Sequence, residues 1–180
     1  MAEDRLWGSI VSLDAIDQDA LCAFRCGVDD LDRWLRESAR ADDARGRCRT
    51  HVCVEPSGAP FAFFTLSATS IRSSDVSRGC RGGMSGLIPA TLLGKMGVRT
   101  DVQGNGCGTR VLRHAMRYAL RSSRLVSSRL LVVDALNDDL VPWYESRGFV
   151  RLPEYDSRLV CKQSTLSAIC EGLGESYFVS

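Results

Sequence analysis

Hydrophobic and polar positions fall into alternating short blocks along this chain. Ile10–Leu13 reads as a strand, and Asp17–Phe24 as a short helix ended by Cys26-Gly27. Asp29 or Asp30 is placed to cap a second helix running through Leu31, Trp34, Leu35 and Ala39. Thr50–Glu55 and Phe61–Thr69 read as two strands of a hairpin, joined by a Pro/Ser/Gly turn. Ser73–Gly86, rich in Ser, Gly and Arg, reads as a flexible loop before a central strand in Leu87–Val98. Thr109–Ser122 has the clearest helical period: Val111, Leu112, Ala115, Met116, Ala119 and Leu120 form one apolar stripe. Arginines 110, 113, 117, 121 and 124 form a second stripe. Leu130–Asp134 reads as a buried strand and Asp138–Ser146 as a helix with Pro142 in its first turn. Val150–Leu152 and Arg158–Cys161 are the last strands. The order predicts an α/β (or α+β) domain with a mixed central sheet flanked by helices.

Between the central strand and the arginine-striped helix lies Gln103-Gly104-Asn105-Gly106-Cys107-Gly108. A strand, a glycine-rich turn and a helix start make an anion site, because the first helical amides have no partner inside the helix and the helix dipole favours negative charge. The spacing differs from the dinucleotide fingerprint, and no Walker A sequence occurs. Taken alone, the segment could be an ordinary turn before a helix.

Charge sharpens this picture. The chain of 180 residues carries a net charge of +1, unevenly spread. Residues 1–46 hold six basic and eleven acidic side chains, whereas residues 99–133 hold seven and one. A polyanion would be drawn to the basic middle of the chain, although a solvated basic helix face would give the same count. Eight cysteines raise the question of disulfides or zinc. There is no C-x-x-C pair and only His51 and His114, so no metal is expected and the thiols read as reduced, small core residues. No run is long and apolar enough for a membrane span, and Met1-Ala2-Glu3-Asp4 lacks the basic start of a signal peptide. A cytoplasmic location is therefore expected.

The Gln-x-x-Gly-x-Gly turn resembles the pyrophosphate loop of the GNAT acetyltransferase superfamily, which binds acetyl-coenzyme A. Asn137, followed by Trp143-Tyr144-Glu145-Ser146-Arg147-Gly148-Phe149, is similar to a second block of that superfamily. A narrower likeness, to the TacT-type toxins, lies in Phe24–Gly27, Leu31–Leu35, Arg49–Val52, Phe63–Ser67 and Ile88–Lys95. Those enzymes are encoded beside a ribbon-helix-helix antitoxin and acetylate the α-amine of charged tRNA, stopping translation. The resemblance implies a single GNAT domain over residues 1–162, a C-terminal extension over 163–180, a homodimer, and contact with DNA only through an antitoxin. It also implies that Met96, Gly97 and Val98 hold the pantetheine arm, that Gln103, Gly104, Asn105, Gly106, Cys107, Gly108 and Thr109 cradle the pyrophosphate, and that Asn137 touches the cofactor. Two positions depart from the family: Met96-Gly97-Val98-Arg99 replaces a usual Leu-Ala-Val-Asp, and Asn105 replaces a basic residue. Gly97 weakens its strand but would permit close approach of a ligand.

Acetyl transfer to an amine requires that the partners be held, that charge on the carbonyl oxygen be stabilised, and that the departing sulfur be protonated. Tyr144 is the candidate general acid, since a phenol is neutral at pH 7 and can donate; the bland alternative is a core tyrosine. Trp143 reads as packing, and His114 as structural or solvated. No Asp, Glu or His occurs in Phe61–Ser74 or Leu87–Val98, where a general base for lysine would be needed. A lysine amine has a pKa of about 10.4 and an α-amine one of about 7.7–8.0. The chain thus suits an α-amine of low pKa. Arg72, Arg78, Arg81, Lys95 and Arg99 are candidates for tRNA phosphates. A small-molecule amine, a protein N-terminus, or a cofactor- or antitoxin-binding module without catalysis are the competing readings. The 163–180 tail, with a helix from Leu166 to Leu173 and an apolar Tyr177-Phe178-Val179 end, could cover the core, extend a dimer interface, dock a partner or fray.

Overall fold

The structure is a computed structural model that describes residues 6–178; the acidic Met1–Asp4 start and Val179 lie outside them. Its elements in chain order are β1 (Ser9–Ser12), α1 (Gln18–Ala23), α2 (Asp29–Glu37), α3 (Ala39–Ala44), β2 (Arg49–Val54), β3 (Pro60–Arg72), α4 (Arg78–Arg81), β4 (Leu87–Val98), α5 (Cys107–Ser122), β5 (Leu130–Asp134), α6 (Leu140–Glu145), β6 (Val150–Arg151), β7 (Arg158–Lys162) and α7 (Gln163–Leu173). The strands form a mixed seven-stranded sheet in the order β1-β2-β3-β4-β5-β7-β6. β1, β2 and β3 pair antiparallel, β4 and β5 pair parallel, and β7 runs antiparallel to both β5 and β6. The β4–β5 ladder covers Ala90–Leu93 against Leu130–Val133, and β4 continues past it to Val98.

The residues group into two compact units. The first comprises residues up to Leu66 and Lys95–Ala115, joined by Phe178; the second comprises Ser67–Gly94 and Met116–Tyr177. In the first, Leu13, Leu21, Phe24, Leu35, Val52 and Phe63 form a core under α1 and α2. Phe24 and Phe63 meet edge to face, 5.5 Å between ring centres. In the second, Ile71, Val76, Ile88, Leu130, Val132 and Val160 form another core.

The central strand and β5 have the bounds expected from the sequence. Three local expectations are corrected. Neither Asp29 nor Asp30 caps α2, which starts at Asp29 after Val28; instead Asp32 accepts a hydrogen bond from the Cys26 amide at 2.8 Å. The second helix is two, broken at Ser38, and Asp42 of α3 folds back to accept the Trp34 Nε1 proton at 2.8 Å. The Ser73–Gly86 segment is more than a flexible loop. Ser77 caps the short α4 through the Cys80 amide, and Arg129 donates Nε to the Cys80 carbonyl at 2.7 Å. Five of the eight cysteines are buried and all eight are free thiols. The tail is helical from Gln163, and Leu166 is buried. A Cβ at Gly148 would come within 3.1 Å of Thr165 and Ile169 side chains, so α7 lies against that turn of the second unit. Phe178 meets the His114 ring edge to face at 5.2 Å in the first unit. The tail therefore packs on the chain's own elements. No helix among the described residues is long and apolar enough to cross a membrane.

Candidate functional site

In the first unit, Gly104 and Gly106 both have φ near +80°, which side-chain-bearing residues rarely adopt. The turn they make delivers the chain into α5, a helix of 16 residues. Its first helical bond runs from the Arg110 amide to the Gly106 carbonyl at 3.1 Å. The amides of Gly104, Asn105, Gly106 and Gly108 have no backbone acceptor among the described residues. Four donors at the positive end of a helix dipole are a competent anion cradle. A Cβ built on Gly104 meets nothing within 4 Å, so the turn is open. Asn105 is exposed, while Cys107 is buried beneath the turn.

Gln103 faces the protein. Its Nε2 donates to the Val98 carbonyl at 2.7 Å and to the Cys26 carbonyl at 2.8 Å, and the Thr100 amide donates to the Arg25 carbonyl at 3.0 Å. The Arg25–Cys26 segment thereby fixes the angle at which β4 enters the glycine turn. This supporting role was hidden in the sequence within the Phe24–Gly27 block. Gly97 also has a packing reason that the sequence did not show. Its would-be Cβ points at Phe63, 2.6 Å from Cε1, so an aromatic ring occupies that space. Met96, Gly97 and Val98 lie in the part of β4 beyond the β5 ladder.

In the second unit, α6 carries Tyr144 at a buried position, 7% exposed. Its ring packs edge to face on Phe149 at 5.4 Å and on Trp143 at 4.9 Å. Among the described residues its hydroxyl has no hydrogen-bond partner. Burial pushes its pKa up to about 12, because the phenolate would lose its hydration. Trp143 supports the Arg147 guanidinium, 4.1 Å above its ring, in keeping with a packing role. The Asn137 side-chain oxygen accepts the Leu140 amide at 3.1 Å and so starts α6; the residue is otherwise exposed. His114, in the first unit, is 3% exposed and stacks on Trp7 with 4.4 Å between ring centres, which makes it a structural histidine.

The five basic residues picked from sequence fare unequally. Arg99 donates to Asp101 at 2.6 and 2.9 Å and to Glu55 at 2.7 Å, and the two carboxylates hold its guanidinium charged well above the ordinary range. That arginine is engaged inside the first unit. Lys95 places Nζ 4.6 Å over the Trp34 ring. In the second unit, Arg72 lies 3.4 Å from Asp75, whose carboxylate also accepts the Tyr155 hydroxyl proton at 2.7 Å. Arg78, exposed, and Arg81, half-buried, share the four-residue α4, with no acidic partner among the described residues.

Comparison with known proteins places these features in a family. Residues 13–149 match the model of the acetyltransferase (GNAT) family. The tRNA-acetylating toxin of Mycobacterium tuberculosis (strain ATCC 25618 / H37Rv) is 29% identical over 128 residues, covering 71% of this chain and 76% of that protein. The structure of AtaT complexed with acetyl-methionyl-tRNAfMet superposes with a TM-score of 0.81 at 22% identity, covering 89% of this chain and 98% of that one. A tyrosine-to-phenylalanine variant of AtaT, bound to the C-terminus of the antitoxin AtaR and to acetyl-CoA, gives 0.73 at 21% identity, covering 89% and 96%.

Proposed function

The chain belongs to the acetyltransferase (GNAT) family, and from that premise we propose that it is a toxin that acetylates the α-amine of aminoacyl-tRNA and so blocks translation. The observation that carries acetyl transfer is the glycine turn of the first unit, with four amides that have no backbone acceptor among the described residues and open space above Gly104. These groups fit a pyrophosphate, and acetyl-coenzyme A supplies an activated acetyl thioester when bound. The relative that acetylates tRNA supports the choice of acceptor. The neighbour AtaT, solved with acetyl-methionyl-tRNAfMet, supports it further.

Each residue then has a separable task. The amides of Gly104, Asn105, Gly106 and Gly108 hold the pyrophosphate, with Cys107 and Thr109 beginning the helix behind it. Gln103 fixes the loop through its two carbonyl acceptors and does not itself hold the ligand. Main-chain groups of Met96–Val98 bind the pantetheine arm and polarise the acetyl carbonyl. Asn137 contributes its exposed amide nitrogen, since its oxygen is engaged by Leu140. Tyr144 Oη keeps its proton at neutral pH and gives it to the departing sulfur. Burial leaves that acid fully loaded at neutral pH. Because an ordinary thiolate (conjugate-acid pKa about 8.5) is a weaker base than this phenolate, the proton would move together with C–S cleavage, and the phenolate would recover the proton shed by the acetylated nitrogen. No carboxylate or histidine occurs in Phe61–Ser74 or Leu87–Val98 to deprotonate a lysine. An α-amine with a pKa of about 8 or below reaches its nucleophilic form without one.

Arg72, Arg78, Arg81 and Lys95 meet tRNA phosphates in this reading. Arg99, neutralised by two carboxylates, serves the fold. An antitoxin partner of ribbon-helix-helix type, a homodimer, DNA contact through the antitoxin and a cytoplasmic setting complete the proposal; the AtaT–AtaR complex supports the antitoxin. The test is to offer acetyl-coenzyme A together with a charged tRNA pool, a lysine peptide and small amines, and to read products by mass spectrometry. Acetylated aminoacyl-tRNA is expected as the dominant product. Robust lysine acetylation with charged tRNA inert would overturn the reading. Turnover of small amines alone would move the enzyme to metabolic acetylation, and no turnover would leave a binding module.

A further inference from the structure

A second basic surface lies wholly in the second unit and has no part in the chemistry above. Arg124, Arg129, Lys162, Gln163 and Ser164 line an open groove of about 450 Å³ floored by Leu120. Among the described residues no carboxylate lines it. Arg124 and Lys162 are exposed and have no acidic partner among the described residues. That separates them from Arg99, which two carboxylates already pair.

The groove is held by hydrogen bonds on three sides. Arg129 donates Nε to the Cys80 carbonyl at 2.7 Å, its amide donates to the Pro89 carbonyl at 2.9 Å, and its own carbonyl accepts the Gln163 amide at 3.0 Å. The Gln163 side chain donates to the Ser123 hydroxyl. Ser167, deeper along α7, is engaged by Glu171 at 2.7 Å. Among the described residues the remaining donors are the two exposed cations, Arg129 Nη1, the Ser164 hydroxyl and the Ser164 and Thr165 amides. α7 has no side-chain cap, so those two amides add to the cationic groove without making it.

We infer that this groove binds the phosphate backbone of RNA, through Arg124 and Lys162 with Arg129 behind them, as a contact separate from the acetyl-transfer site. Two observations favour a polynucleotide over a lone anion or an acidic peptide. The charge continues in the chain beyond the groove: Arg117 and Arg121 lie one turn apart near the end of α5, and Arg124 sits in the turn that follows it, its amide donating to the Arg121 carbonyl at 3.2 Å. Among the described residues the lining offers no aromatic ring and only Leu120 as an apolar anchor, which phosphates do not need and a docked peptide does. Part of the groove belongs to the 163–180 extension, which gives that extension a function. Under the proposed acetylation of aminoacyl-tRNA, the RNA is the body of the substrate; the inference rests on that reading for the identity of the RNA alone.

The test uses the full-length protein and uncharged tRNA, so that binding is scored apart from acetylation. Equilibrium binding is measured from 50 to 200 mM salt for wild type, for the double variant Arg124→Gln/Lys162→Gln, for the charge-preserving Arg124→Lys/Lys162→Arg, and for Arg45→Gln as an exposed arginine elsewhere. We expect the double neutralisation to weaken binding at least about fivefold at low salt and to reduce the salt slope by roughly 1.5–2, one increment of about 0.9 for each lost phosphate contact. The charge-preserving pair should bind like wild type, which separates lost charge from misfolding. Acetyl-coenzyme A affinity should be unchanged in all four. Equal affinity and slope in wild type and the neutralised variant would overturn the inference, as would a loss matched by Arg45→Gln. Competition by inorganic phosphate at the groove with tRNA binding intact would assign the site to a small anion and overturn it too. If the wild type binds tRNA through the groove yet never acetylates it when charged, the toxin reading falls and the groove stands.

Discussion

Gly104 and Gly106 present main-chain amides, and the one long side chain at the start of their turn, Gln103, folds back onto Val98 and Cys26. α6 does the reverse: its backbone is closed in a helix and a single phenol, Tyr144, stands in a buried position with no partner for its hydroxyl among the described residues. In the proposed reaction the first region would hold charge with dipoles that cannot titrate; the second holds a proton in surroundings that raise its pKa. Binding and proton donation are thus assigned to parts of the chain that can be damaged separately. Backbone sites fail when φ is disturbed, and side-chain sites fail when one atom is removed.

The largest effect is expected at the phenol. Tyr144→Phe keeps the ring against Phe149 and removes only Oη, so kcat should fall roughly 10²–10⁴-fold, as for loss of a general acid, with acetyl-coenzyme A affinity unchanged. Gly97→Ala comes next and strikes the support of the loop. Its Cβ would lie 2.6 Å from Phe63 Cε1, an overpacking worth about 1–3 kcal/mol that a thermal melt would show as a lowered Tm. Gly104→Ala meets open space, so its cost is the φ of +81° alone, about 1–2 kcal/mol. That should appear as roughly five- to thirtyfold weaker acetyl-coenzyme A binding with kcat at saturation nearly intact. A change in kcat without a change in affinity would break the division between the two regions. The smallest effect is expected at Arg99→Gln. This partly exposed ion-pair network should cost about 1 kcal/mol or less, and tRNA affinity should not move.

Arg99 also shows where sequence reading stops. It carries the same formal charge as Arg124, and the only local sign of its pairing is Asp101, two residues on. Glu55, which neutralises Arg99, lies 44 residues away and reaches it only once the chain has folded. The packing role of Gly97 was hidden for the same reason, since its close neighbour Phe63 is distant in the chain. The glycine turn was legible as a turn because positive φ at Gly104 and Gly106 calls for glycine at fixed positions and leaves a spacing to read. Leu87–Val98 and Leu130–Asp134 were legible because uninterrupted apolar runs bounded by turns have few alternatives. α4 was not: four residues of Arg, Gly and Cys carry no helical rhythm and are held by the Ser77 cap and by Arg129, 49 residues beyond Cys80. The break at Ser38 was hidden as well, because it depends on Asp42 turning back to Trp34.

The single measurement that tests the proposed chemistry most directly is single-turnover acetylation of aminoacyl-tRNA from pH 6 to 8.5, for wild type and Tyr144→Phe, at saturating acetyl-coenzyme A. With burial holding the phenol at a pKa of about 12, its proton is present throughout this window. The wild-type rate should rise as the substrate amine loses its proton and then level off, with no falling limb. The variant should be slower by about two orders of magnitude or more at every pH, with the same rising shape. A variant rate within a few-fold of wild type, or a wild-type rate that falls again before pH 8.5, would place the acid elsewhere and contradict the assignment of Tyr144.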